Sequence, residues 1–352
     1  MIRFILGTAV CGNKAVSVFL AAKLQFEECV KMLTDKNILV VLPVSEEQKK
    51  RFEKYADKSC FTYTSYKKAT KEMVRKANII IGNIDPDLLE YAENLEWLQL
   101  NSAGADAYMK KGVLPEGTVL TNATGAYGPG VAEHMLVVLF SIQKKLHLYR
   151  DNQNQCQWSD EGEVMSLQGG TALIVGLGDI GLYFARLLKN FGYRIIGIKR
   201  RPGQVPQGVD ELYTMEQLDE LLPEADVVFS ALPDTKATRK IFCKERFQKM
   251  KRSAILLNAG RGSAVDTEDL CQALISGEIY AAGLDVTDPE PLPSQHKLWN
   301  MQNVVITPHI SGDFHHPATL YRILDIAAGN LRRYSSGELL ENVVDVQTGY
   351  RK

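Results

Sequence analysis

Three short segments concentrate the side chains best suited to acid and proton chemistry: Asn258 to Gly262 (N-A-G-R-G), Asp285 to Leu292 (D-V-T-D-P-E-P-L) and Thr307 to Gly312 (T-P-H-I-S-G). Arg261 offers a planar guanidinium fork that matches a carboxylate and stays charged. His309 brings an imidazole whose unperturbed pKa of about 6.5 populates both protonation states near neutrality. A carboxylate such as Glu290, placed beside an imidazole, favours its protonated form. Each residue alone also has a plainer use: Arg261 in a surface salt bridge, His309 in packing, Glu290 as a loop charge between prolines.

Each segment follows an apolar run that reads as a strand, so each falls at a carboxyl edge, where open α/β sheets bind ligands. A fourth segment, Gly176 to Gly181 (G-L-G-D-I-G), follows the apolar strand Ala172 to Val175 and precedes a helix containing Phe184, Leu187 and Leu188. In that context Gly176 allows a tight turn, Gly178 lets backbone approach a pyrophosphate, and Gly181 lets helix pack on strand. Asp179 and Ile180 open a helix whose N-terminus favours an anion. The expectation is a dinucleotide site. The next strand, Arg194 to Ile198, ends in Lys199, Arg200 and Arg201 where an NAD enzyme usually carries Asp or Glu. Guanidinium groups grip an added phosphate, so NADP is expected, with NAD as the alternative if the basic turn is merely solvated.

The wider chain supplies the elements these segments need. It has 352 residues, more than one core usually organises, and alternates short apolar runs with amphipathic stretches from Asn37 on. A first series runs through Ile38 to Leu42, Ile79 to Ile81, Trp97 to Leu100 and Val119 to Thr121, with Ser45 and Gln48 as a capping box. A long helix is expected from near Val131 to about Leu148, followed by a loop, Arg150 to Trp158. A second series runs through Thr171 to Val175, Ile195 to Ile198, Val227 to Ala231, Ala254 to Asn258, Gly283 to Val286 and Val304 to Thr307. A last helix, Leu320 to Tyr334, precedes a tail, Val343 to Val346, that reads as a strand returning to the first domain. Residues 1–36 read as a poorly ordered extension, or translation starts at Met32. The fold expected is α/β, with two open parallel-sheet domains.

With 41 Lys and Arg against 42 Asp and Glu, the chain has no electrostatic case for nucleic acid or an anionic membrane as partner. No stretch of about twenty uninterrupted apolar residues suggests a span. The 6 cysteines are scattered, without metal-ligand spacing, as in a reducing cytoplasm. No metal site is expected, since the adjacent His315 and His316 project differently, and His134 is assigned to packing.

Five motifs in register, G-L-G-D-I-G, Leu232-Pro233, N-A-G-R-G, D-V-T-D-P-E-P-L and P-H-I-S-G, make the chain from Asn37 onward resemble the D-isomer-specific 2-hydroxyacid dehydrogenase family, in particular its glyoxylate/hydroxypyruvate reductase-like members. The resemblance implies a Rossmann NAD(P)-binding domain, residues 131–315, inserted in a flavodoxin-like substrate domain, residues 37–130 and 316–352. It makes Arg261 the holder of the substrate carboxylate and oxo group, His309 the acid/base, and Glu290 its acidic partner, where the formate dehydrogenase branch typically has Gln. Asn101 to Asp106 (N-S-A-G-A-D) matches the substrate-carboxylate loop, with Ser102, Ala103 and Gly104 facing the anion. Leu232, Pro233, Ala259 and Asp285 fall to the cofactor, Asp285 near the nicotinamide carboxamide or as a buried structural aspartate. The resemblance also implies a homodimer joined through the long helix and the Arg150 to Trp158 loop.

The function expected is NADPH-linked interconversion of a small 2-oxo acid, such as glyoxylate or hydroxypyruvate, and its 2-hydroxy acid. One alternative is an NAD-dependent dehydrogenase for a phosphoglycerate- or lactate-like acid, although a phosphorylated acid would want further cationic residues than the sequence offers. Another, from a different class, is a dinucleotide-sensing corepressor-like binding protein.

Overall fold

The computed structural model describes residues 35–313 and 316–345. The N-terminal extension, Phe314, His315 and the tail from Val346 lie outside the described residues. Within them the chain divides into two compact units, one of residues 35–101, 111–121 and 327–343, the other of 102–110, 122–326 and 344–345.

The first unit contains β1 (Asn37–Val40), α1 (Glu46–Tyr55), β2 (Cys60–Tyr63), α2 (Lys71–Lys76), β3 (Ile79–Ile81), β4 (Trp97–Gln99) and β5 (Val119–Thr121). Its strands form a 5-stranded, all-parallel sheet in the order β2-β1-β3-β4-β5, the flavodoxin-like winding. β3 and β4 are buried throughout; β3 therefore reads as a short unbroken apolar run, while β4 buries Gln99 beside Trp97 and Leu98. The capping box forms: Ser45 Oγ accepts from the Gln48 N–H at 3.3 Å while Gln48 Oε1 accepts from the Ser45 N–H at 2.9 Å. Val343 meets β5 through one antiparallel bridge to Thr121.

In the second unit α3 (Gly128–Gln143) and α4 (Leu146–Asn154) precede β6 (Thr171–Val175), α5 (Asp179–Lys189), β7 (Arg194–Lys199), β8 (Glu211–Thr214), β9 (Val227–Ser230), β10 (Ile255–Asn258), α6 (Thr267–Ser276), β11 (Ala281–Leu284) and β12 (Val304–Ile306). A final helix, α7 (Pro317–Ser335), begins in this unit and ends in the first. The single long helix expected to about Leu148 is instead two, broken where Lys145 takes a left-handed φ of 56°. Helix also continues to Asn154, through the start of the expected Arg150 to Trp158 loop. The 7-stranded parallel sheet has the order β12-β11-β10-β9-β6-β7-β8. Chain direction across the sheet therefore reverses between β6 and β9, and their carboxyl ends flank the crevice where doubly wound sheets take ligands. α5 covers this region by burying Phe184, Ala185 and Leu188, and Phe184 stacks on Phe229 of β9 at 4.1 Å between ring centroids.

The core of the first unit includes a buried polar ladder. Trp97 Nε1 donates to Thr121 Oγ1 at 2.8 Å, Thr121 Oγ1 donates to Gln99 Oε1 at 2.8 Å, and Asn330 Nδ2 donates to the same Gln99 oxygen at 2.9 Å. Every link lies in low dielectric, so removing one member strands a polar group. Replacing Thr121 with Val, nearly the same shape, leaves the indole N–H without its acceptor and should cost about 1–3 kcal/mol. The check is urea denaturation followed by tryptophan fluorescence; an unshifted midpoint would show that the ladder contributes nothing.

Candidate active site

The site starts at the glycine turn after β6. Gly176 adopts φ +104°, and a Cβ on Gly181 would stand 2.2 Å from the Gly176 carbonyl oxygen, so strand and helix approach this closely only through glycine. At Gly178 a Cβ would meet nothing within 4 Å, which leaves open space over the backbone at the start of α5. The N–H groups of Gly176 and Leu177 both bond the Ile198 carbonyl, at 3.1 and 3.2 Å. Lys199 directly follows that residue at the end of β7, and Arg200 and Arg201 follow it as exposed residues beside the turn. Leu232 and Pro233 leave β9 on the other side of the crevice; Leu232 is buried and the Pro233 carbonyl accepts from Thr238 Oγ1 at 2.6 Å. Asp179 turns its carboxylate to the Gly128 N–H at 2.8 Å, tying the first turn of α5 to that of α3. Burial raises the Asp179 carboxyl above its usual range, opposed by the N–H groups of Gly128, Gly125 and Tyr127 and by the Arg322 charge.

A second set of residues converges beyond β11. Asp285 is buried, and its carboxylate accepts from Thr307 Oγ1 (2.6 Å), the N–H groups of Ile310 (3.1 Å) and Ser311 (3.2 Å), and the Ser311 hydroxyl. The Asp285 carbonyl accepts from the His309 N–H at 2.8 Å. His309 itself has φ +54°, a conformation costing a non-glycine residue on the order of 1–3 kcal/mol, and the Asp285 contacts hold it there. Its Nδ1 lies 2.6 Å from Glu290 Oε1. A carboxylate only accepts, so Nδ1 carries the hydrogen and Nε2 is left as the atom that exchanges a proton. His134, on α3, lies 3.0 Å through Nε2 from Thr307 Oγ1; because that hydroxyl gives its hydrogen to Asp285, His134 is the donor. His134 thus bonds the loop that carries His309 in addition to packing.

The third set forms around Arg261. Asn258 closes its turn, Nδ2 donating to the Arg261 carbonyl at 3.0 Å and Oδ1 accepting from the Gly260 N–H at 3.2 Å. The guanidinium lies directly on Gly104, where a Cβ would come within 1.5 Å of Nη2. Ser102 Oγ donates to the Gly104 carbonyl at 2.6 Å and Asn122 Nδ2 to the Ala103 carbonyl at 2.7 Å. Those carbonyls are engaged, whereas the N–H groups of Ala103 and Gly104 have no acceptor among the described residues. Asp106, from the same loop, pairs with Arg261 at 2.9 Å.

A cavity of about 280 Å³ joins these sets, lined by Ser102, Ala103 and Gly104, by Arg261 and His309, and by Ile180, Ala259 and Asp285. Gly176, Gly178, Asp179, Gly181, Leu232, Pro233 and the Lys199 to Arg201 segment lie outside its lining, on the glycine-turn side; Glu290 reaches it through His309. A larger hollow of about 830 Å³ beside α4 is lined by residues such as Cys156 and Trp158 and brings together no cation and proton carrier. His316 lies outside this cavity lining, with Nε2 3.7 Å from Glu133. The sequence alone marks no role for Asp106 or Ser311, though both lie within quoted segments, and assigns His134 to packing alone; what the three touch is decided by the fold.

The arrangement has known counterparts. Residues 136–311 match the family model for the NAD-binding domain of D-isomer-specific 2-hydroxyacid dehydrogenases. The chain is 33% identical over 273 residues to glyoxylate/hydroxypyruvate reductase B of Yersinia pestis, covering 76% of this chain and 82% of that protein. A crystal structure of a D-isomer-specific 2-hydroxyacid dehydrogenase family protein from Aeromonas salmonicida superposes with a TM-score of 0.78 at 30% identity, covering 89% of this chain and 99% of that one. An NADPH-dependent glyoxylate/hydroxypyruvate reductase from Sinorhizobium meliloti, solved with NADP and sulfate, gives a TM-score of 0.72 at 25% identity over 90% of this chain and 100% of that one. The chain belongs to the D-isomer-specific 2-hydroxyacid dehydrogenase family, and with it to the NAD(P)-dependent oxidoreductases.

Proposed function

We propose that this enzyme uses NADPH to reduce a small 2-oxo acid, glyoxylate or hydroxypyruvate, at C2, and runs the reaction in reverse with the matching 2-hydroxy acid. The observation that carries the reading is the single cavity in which Arg261 and His309 meet, with Glu290 on the far nitrogen of the imidazole. The names of the Yersinia and Sinorhizobium relatives support the choice of acid and of cofactor.

The dinucleotide fits the glycine turn, because the space over Gly178 and the N-terminus of α5 suit a pyrophosphate. Lys199, Arg200 and Arg201 would hold the additional phosphate of NADP, and Leu232, Pro233 and Ala259 would flank the rest. When bound, the nicotinamide exchanges hydride with the substrate carbon. Arg261 and the N–H groups of Ala103 and Gly104 bind the substrate carboxylate and fix its orientation. His309 delivers the proton from Nε2 to the oxo oxygen, completing the hydroxyl, and takes it back in the oxidative direction. Glu290 keeps Nδ1 protonated and the ring turned toward the substrate. Asp285 holds the loop beneath. The family likeness supports a homodimer and a cytoplasmic setting.

Replacing His309 with Gln should lower kcat by about 10²- to 10⁴-fold while leaving NADPH binding within a few-fold of the parent. Stopped-flow turnover with glyoxylate and fluorescence titration of NADPH measure the two quantities. Turnover at the parental rate would sink the assignment of His309, and tight NADPH binding by the parent without turnover on any 2-oxo acid would favour a dinucleotide sensor.

Cofactor choice is tested separately. Two charge-assisted hydrogen bonds to the added phosphate, each worth roughly 1.5–3 kcal/mol, predict a preference in kcat/KM for NADPH over NADH of about a hundredfold or more. The double change Arg200→Ala with Arg201→Ala should remove most of it; equal efficiency with both cofactors in the parent would refute the assignment.

A further inference from the structure

The charge of Arg261 is partly committed before any ligand arrives. Nε donates to Asp106 Oδ2 at 2.9 Å, Nη2 lies 2.9 Å from the same oxygen, and Nη1 donates to the Gly260 carbonyl at 2.9 Å. A guanidinium carries five N–H groups. With Nε–H, one hydrogen of Nη2 and one of Nη1 so directed, each terminal nitrogen retains a single hydrogen. That is what one carboxylate takes in a bidentate grip. Asp106 therefore holds the guanidinium plane along its Nε–Nη2 edge, next to the edge left for a ligand.

Its charge matters as well as its geometry. Arg261 and Asp106 form a pair with no net charge, so one carboxylate docked on the free edge is attracted by the nearer guanidinium and repelled by the farther carboxylate. Among the described residues that line the cavity, no lysine or second arginine is present to offset Asp106 for a second negative charge on the ligand. The neighbouring Arg239 is committed to Asp234 through bonds of 2.8 and 2.7 Å, and its guanidinium is held above the usual range first by Asp234, then by the charges of Asp288 and Asp106. We infer that Asp106 is a positioning and specificity residue that fits the Arg261 site to 2-oxo acids bearing one negative charge and sets it against dicarboxylate or phosphorylated ones. The inference rests on the reading that this cavity takes a 2-oxo acid.

The test compares oxamate with oxalate, two anions of nearly equal shape that differ by one charge, bound to the NADPH-loaded protein and followed by calorimetry. The parent should favour oxamate. Asp106→Asn, whose amide oxygen still accepts from Nε, should keep oxamate binding and tighten oxalate relative to it by about tenfold. Asp106→Ala, which loses the clamp, should weaken both, so that recovery of oxamate binding in the Asn variant separates positioning from general structural damage. A parent that binds both anions equally, or an Asn variant with an unchanged ratio, would overturn the inference. Should the Asn variant not fold, judged by its NADPH binding, Asp106→Ser carries the same expectation. Glyoxylate turnover by the parent is scored on its own: its absence counts against the hydride-transfer reading, while the anion ratio still decides the role of Asp106.

Discussion

A carboxylate taken out of water has to be given donors, and most of the geometry of the candidate site follows from how Asp285 is supplied. Its oxygens collect the hydroxyls of Thr307 and Ser311 and the N–H groups of Ile310 and Ser311, all from one short stretch after β12. Gathering them closes that stretch into a tight loop, and the loop holds His309 in a backbone conformation it would not adopt freely. The energy for that strain comes from a charge that would otherwise be buried without partners, a far larger penalty. Position and strain of the imidazole are thus two readings of one electrostatic requirement.

The same economy governs the other side of the site. Asn258 spends both ends of its amide on the turn that presents Arg261, and Asn122 and Ser102 engage the carbonyls of the opposing loop so that its N–H groups remain. Asp179 joins the first turns of α5 and α3, so the helix that opens at the glycine turn and the helix that carries His134 start from a shared anchor. Buried or half-buried polar side chains, rather than the apolar core, give the site its shape; the core supplies the sheet edges from which they act.

Much of this was legible in the chain. Strands covered on both faces read as apolar runs, and the motifs after them fall at the carboxyl edge of the second sheet, as do the glycine turn and the basic segment beside it. Two strands escaped detection for the same reason in reverse: β2 and β8 are sheet edges whose residues are only partly covered, so neither carries a continuous apolar signature. The break at Lys145 also left no mark, since lysine is a good helix former and only its left-handed φ betrays the turn. Asp106 and His134 were visible as letters but not as partners, because Arg261 and Thr307 lie more than a hundred residues away from them in the chain.

Gly104 bears on how related chains should be read. The arginine rests on its bare α-carbon so closely that even a methyl group there would occupy the place of a guanidinium nitrogen. A homologue that kept the arginine but carried alanine or anything larger at this point could not fold its cation into the same pose, whatever its other motifs suggested. Inheritance of the grip is therefore written twice, once as a charge and once as a hydrogen atom, and the second inscription is the easier one to overlook.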